Sequence, residues 1–153
     1  MENNYYTPSI EEFHVGFEFE TSYLEDYDTW KKVTLEFDDF GFYTSTWEVD
    51  SNPTEFRVKY LDKEDIESLG FKFLGQSIDN WYIINKVYER PLSNASNRSI
   101  KLQHDFRTNQ GIVMYGFEWE DCKGEEETLY RGECKNKSEL KRLLKQLGIN
   151  GQD

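Results

Sequence analysis

The sequence predicts an α+β fold, mainly antiparallel β-sheet, with one short mid-chain helix and a C-terminal amphipathic helix. Three observations carry that expectation. Apolar and polar residues alternate with period two through much of the chain, the pattern of strands with one buried and one wet face. Leu140, Leu143, Leu144 and Leu147 fall at helical spacing near the end, as on the apolar face of an amphipathic helix. Aromatic residues make up 16% of the chain. Each buried ring removes roughly 150–250 Å² from water, so a sequence that is 31% charged still has enough apolar surface to fold.

Taken in order, Phe17 and Phe19 alternate with Glu18 and Glu20, and Val33, Leu35 and Phe37 repeat the pattern, giving two acidic strands. The stretch SYLEDYDTWKK between them has no stable periodicity. DDFG at Asp38 to Gly41 is a turn into a third strand, FYTSTWEV. SNPT at Ser51 to Thr54 holds a proline near the charge transition and marks a boundary between two halves of one sheet. Phe56, Val58 and Tyr60 continue the alternation.

The period then changes. Asp62 can cap a short helix, Leu61 and Ile66 have the spacing of a hydrophobic staple, and Gly70 ends it. FKFLG and NWYIINKVY read as two further strands, and PLSNASNR as a polar loop. Ile100, Leu102, His104 and Phe106 alternate, RTNQG turns, Met114 to Glu120 alternates, and CKGEEE turns into ETLYRGE, a three-stranded antiparallel meander. In the final helix Asn136 or Ser138 can cap the start. Lys141, Arg142 and Lys145 suit the C-terminal dipole, and Gly148 with Ile149 matches a Schellman stop.

The length of 153 residues suits a single domain over 1–153, with an acidic part at 1–50 and a near-neutral meander plus helix at 54–149. No apolar run reaches the roughly 18 residues of a membrane span, and the opening MENNYYTPSIEEF lacks a secretory layout, so a cytoplasmic protein is expected. A turn at Lys123 to Glu126 would set Cys122 opposite Glu127 and leave Cys134 several positions down the ladder, so no disulfide is expected. Two thiols without a histidine cluster do not furnish a structural zinc site, and no cofactor is expected.

Charge distribution says more than its total of −12. Residues 1–50 hold 13 acids against Lys31 and Lys32, a net of −11, whereas the remainder holds 17 acids and 16 bases. Such a field repels free nucleic acid and anionic membrane.

Several constellations could carry chemistry. GFEFE (Gly16–Glu20) and GFEWE (Gly116–Glu120) would gather four carboxylates if their strands were neighbours, enough for a hard cation or for acid/base work; a solvated strand face is the simpler reading. Glu133-Cys134-Lys135 with Asp121 is loosely similar to the acid plus E-x-K arrangement of metal-dependent nuclease cores, against the simpler reading of a strand end and helix entry. Lys137, Lys141 and Lys145 recur every four residues on the last helix, either as a phosphate-binding stripe or as its polar face. Tyr5, Tyr6, Tyr23, Tyr27 and Trp30 cluster among acids. Because aromatics favour interfaces, a partner-binding surface is expected at Tyr23, Glu25, Asp26, Tyr27, Asp28, Trp30, Asp38 and Asp39; a loop folded over the core is the alternative.

TPSIEEFHVGFEFE, RVKYLDKEDIESLGF and NKSELKRLLKQLGI together resemble a set of small proteins encoded by bacteriophages and prophages of the Bacteroidota. That resemblance implies origin and carries over no catalytic or binding residue. The leading expectation is a non-enzymatic phage-encoded protein binding a host component, such as one of its defences, by a basic surface. The rivals are sequestration of a small, cyclic nucleotide, a metal-dependent hydrolase and a minor virion protein.

Overall fold

In the computed structural model the chain is described over residues 4–23, 26–36, 55–79, 83–92, 98–119 and 122–149. The fold is α+β, mainly antiparallel sheet. It divides into two compact units, residues 1–60 with 136–139 and residues 61–135 with 140–153, each containing its own sheet.

The first unit holds β1 (Tyr5–Tyr6), β2 (Glu18–Tyr23), β3 (Asp26–Thr34) and β4 (Glu55–Lys59), in the order β1-β4-β2-β3. Every pair is antiparallel. One face buries Phe19, Phe56 and Val58 with Phe13, Phe17 and Leu35, all but Phe13 being apolar members of the expected alternation. Phe13 is the hub, its ring centroid 5.1 Å from Phe17, 5.2 Å from Phe19 and 6.1 Å from Phe56. It enters from a single 3₁₀ turn at Ile10–Glu12, where Glu12 Oε1 accepts the Ser9 backbone N–H at 3.0 Å.

The stretch expected to lack regular structure is instead the end of β2 and most of β3. Thr21 pairs with Lys31 and Phe19 with Val33. Past Val33 the core-side positions of this edge strand are Lys31 and Thr29, both exposed. Hydrophobic periodicity records burial, so a paired strand that buries little shows no period.

In the second unit α1 (Lys63–Ser68) is followed by β5 (Lys72–Asp79), β6 (Ile83–Pro91), β7 (Arg98–Asp105), β8 (Gln110–Trp119) and β9 (Cys122–Glu133). The sheet order is sequential, so the expected three-stranded meander extends to five strands. Tyr88, Leu102, Val113 and Tyr130 form a cross-strand row. The core of this unit joins Tyr88, Ile100, Leu102 and Val113 to Leu61, Ile66 and Phe71 and to Leu140, Leu144 and Ile149. Leu140 and Leu144 come from α2 (Lys137–Gln146).

Both helices carry the expected stops. Asp62 accepts the Asp65 N–H at 2.9 Å, and Leu61 and Ile66 are both buried. Asn136 caps α2 by accepting the Glu139 N–H at 2.9 Å. At its end the Ile149 N–H reaches the Leu144 carbonyl and the Gly148 N–H the Lys145 carbonyl, with Gly148 at φ 73°. That is the Schellman pair of bonds, which needs a residue in the left-handed region.

Two expectations are corrected. Residues 51–54 lie outside the described residues, but β4, which follows them, pairs with β2. The change of sheet therefore falls at 60/61 and separates two sheets rather than two halves of one. A proline marks where backbone pairing is interrupted, not which sheet the next strand joins. In the second sheet the β8–β9 ladder continues to Trp119 opposite Cys122, and Glu127 faces Tyr115. The glutamate run assigned to a turn is part of the strand, and Glu126 makes an ion pair with Lys101. Cys122 and Cys134 are the start of β9 and the residue after its end, about 40 Å apart at ~3.3 Å per residue; Cys134 is buried.

Candidate functional site

The face of the first sheet opposite its core carries the most organised polar cluster. Period two puts Glu55, Arg57 and Lys59 of β4 on this face, with Glu18, Glu20 and Ser22 of β2 and Trp30, Lys32 and Thr34 of β3. Tyr5 joins them opposite Lys59. Arg57 lies at the centre. Its guanidinium carbon is 4.0 Å from the Tyr5 ring centroid and 4.0 Å from that of Trp30, and its Nε donates to Glu20 Oε2 at 2.7 Å.

Trp30 and Arg57 belong to strands on either side of β2, so they meet above it. Ser22, the direct neighbour of Trp30 on β2, is correspondingly buried. A guanidinium between two ring faces gains cation–π attraction, about 0.5–2 kcal/mol at such sites. The contact fixes all three side chains in place.

Below this cluster Tyr6 points to the other side of β1. Asn136 Nδ2 donates to its hydroxyl at 2.8 Å, and the hydroxyl donates to Glu12 Oε2 at 2.6 Å. Burial, then the bond to the Glu12 carboxylate, pushes the Tyr6 hydroxyl well above the ordinary phenol range. Of the five acids in the first fifty residues whose side chains are described, Glu12 and Glu20 are thus engaged in the fold, and Glu11 and Glu36 are exposed.

Among the expected partner-binding residues, Trp30 is the one whose side chain is described, and it stands on this outer face. Tyr23, Asp26, Tyr27 and Asp28 fall in the β2–β3 hairpin by backbone; Glu25, Asp38 and Asp39 lie outside the described residues. The expected strand at FYTSTWEV and the DDFG turn lie outside them as well. Sequence reasoning missed Arg57. Its position in Glu55–Lys59 is an ordinary polar one, and only the register shows that it sits beside Glu20.

No protein-family model matches the chain, and neither a curated protein nor a solved structure matches it. The chemistry is therefore read from the side chains themselves.

The remaining candidates are dispersed. Glu18 and Glu20 lie in β2 of the first sheet and GFEWE begins in β8 of the second, so the four carboxylates do not share a face as neighbouring strands. In the Glu133-Cys134-Lys135 triplet Cys134 is buried, and Lys135 Nζ lies 3.5 Å from Glu133 Oε1; Asp121 lies outside the described residues. No group of three or more His, Cys, Asp or Glu side chains is placed to hold a metal among the described residues. Lys137 is half-buried while Lys141 and Lys145 are exposed along α2. No described helix is long and apolar enough to cross a membrane.

His104 is buried: its Nε2 donates to the Cys134 carbonyl at 2.9 Å, and Nδ1 has no hydrogen-bond partner among the described residues. Burial lowers its pKa against the raising influence of that carbonyl and of Asp105. A neutral imidazole that pins the end of β9 is a structural element, and sequence had already placed it on the apolar register.

Proposed function

We propose a non-enzymatic binding protein, phage-encoded and acting on a host component, that meets a basic surface of its partner through the acidic, aromatic-rich N-terminal part. The observation that carries this reading is the Tyr5–Arg57–Trp30 stack on the polar face of the first sheet. Two aromatic rings held outside the core by an arginine resemble the rigid Tyr, Trp and Arg anchors that dominate protein interfaces. They stand in the part of the chain whose net charge is −11 over fifty residues, and charge of one sign steers a partner of the other.

Affinity capture from a host lysate, repeated at rising ionic strength, tests the proposal. Raising salt from about 0.05 M to about 0.5 M shortens the screening length several-fold. A partner recognised by charge is released over that range, and Trp30→Ala lowers its recovery at low salt. Partners retained equally at both ends of the range would rule the electrostatic reading out.

A further inference from the structure

Described residues engage Arg57 on three sides. Tyr5 and Trp30 cover its two faces and Glu20 holds Nε, while its two terminal nitrogens make no hydrogen bond or ion pair with a described residue. A guanidinium has five N–H donors, so four remain, and two of them, one from each terminal nitrogen, lie parallel at the edge remote from the side-chain stem. The side chain keeps 29% of its surface in solvent.

We propose that this edge of Arg57 is a binding site for a carboxylate group. A guanidinium presents its two terminal nitrogens as a planar fork that matches the two oxygens of a carboxylate, with two parallel charge-assisted bonds. Here the fork is held before any ligand arrives. An arginine carries about 2 kcal/mol of rotamer entropy, and the rings and Glu20 have already removed much of that freedom, so a ligand need not supply it. The rings also block approach from above and below, leaving the in-plane direction in which a carboxylate binds.

Local charge selects a monoanion. Among the described side chains of this face Lys32, Arg57 and Lys59 stand against Glu18, Glu20 and Glu55, a balanced set despite the acidity of the surrounding chain. A single added negative charge is the smallest departure from that balance, and Arg57 meets it with the terminal nitrogens that Glu20 does not use. A phosphate dianion would bring a second charge beside Glu20, which already touches Nε, where like charges repel. The ligand class is therefore a carboxylate, from an acidic side chain or from the C-terminus of a peptide. The inference rests on the geometry of Arg57 and does not require the basic partner proposed above.

The test follows the side-chain N–H resonances of Arg57 in the intact protein by proton–nitrogen NMR at neutral pH. Acetate, phosphate and chloride are added at matched ionic strength. Saturable shifts with acetate, reaching half-saturation at about tenfold lower concentration than with phosphate, are expected, with no saturable response to chloride. A short peptide with a free C-terminus and no acidic residue, and an amidated peptide with one glutamate, then separate the two sources. Arg57→Lys keeps the charge and loses the fork; followed at the indole N–H of Trp30, whose ring lies against residue 57, it is expected to abolish the saturable acetate shift seen there in wild type. Shifts with acetate that never saturate, that match chloride, or that are weaker than those with phosphate overturn the proposal, and the wild-type titration decides this even if the variant does not fold.

Discussion

Tyr6 and Tyr88 carry the same hydroxyl into different surroundings. The Tyr6 hydroxyl bonds to both Glu12 and Asn136. The Tyr88 hydroxyl is buried without a hydrogen-bond partner among the described residues; burial, with Glu67 and Asp62 adding to it, pushes its pKa up to about 12. Removing a satisfied hydroxyl leaves its partners unpaired, whereas removing an unsatisfied one relieves a desolvation cost. Tyr6→Phe is therefore expected to lose about 1–2 kcal/mol. Tyr88→Phe should be neutral or slightly stabilising. Urea unfolding of the two variants checks this, and equal losses would contradict it. His104 sets a pH dependence in the same way. Its folded-state pKa lies below the ordinary 6.5, so the unfolded chain takes up the proton first, and stability present above pH 6.5 falls as the pH drops through that value. Asp105 acts in a lower window. Burial alone would raise its pKa, but the Arg107 N–H, the Thr108 hydroxyl and the Arg107 guanidinium outweigh it and hold the carboxyl below 3.8, so its contribution persists until pH falls below that value. Unfolding curves at pH 7.5 and 5.5 should show the histidine loss in wild type and its absence in His104→Gln, which keeps a donor near the Nε2 position.

At the scale of elements, the helix ends are local devices and the strands are not. Asn136 caps α2 and also donates to Tyr6, so Asn136→Ala is expected to destabilise by about 1–2 kcal/mol, the upper part of the range for a lost cap, measurable by the same unfolding curves. An effect below about 0.3 kcal/mol would show that the cap and the Tyr6 bond contribute little. The caps at Asp62 and Asn136, the Leu61–Ile66 pair and the Gly148 stop were legible because each involves residues a few positions apart. The strands with a buried face were legible too, since Phe17, Phe19, Phe56, Val58 and the row from Ile100 to His104 advertise burial through alternation. β3 was not, because its core-side Lys31 and Thr29 stay exposed. The Arg57 cluster was not legible for a related reason. Tyr5, Glu20, Trp30 and Arg57 come from four strands, and only pairing register brings them together. The sheet boundary was misread because proline reports a local interruption while strand partners are chosen over long range.

For the whole molecule the central question is where charge sits, not how much there is. The chain carries −12, and −11 of it belongs to the first fifty residues. The outer face around Arg57 is nevertheless balanced among its described side chains, and Glu11 and Glu36 are exposed. A net charge this large would by itself attract basic molecules non-specifically through any part of the surface. The proposed function instead requires attraction to be confined to the N-terminal part. Two double charge reversals distinguish these cases at identical net charge: Glu11→Lys with Glu36→Lys in the first unit, and Glu64→Lys with Glu127→Lys in the second, all four residues being exposed. The deciding measurement is the affinity of each double variant for the partner captured at low salt. The account predicts at least a tenfold loss, about 1.4 kcal/mol, for the first pair and little change for the second; equal losses in both, or none in either, would contradict it.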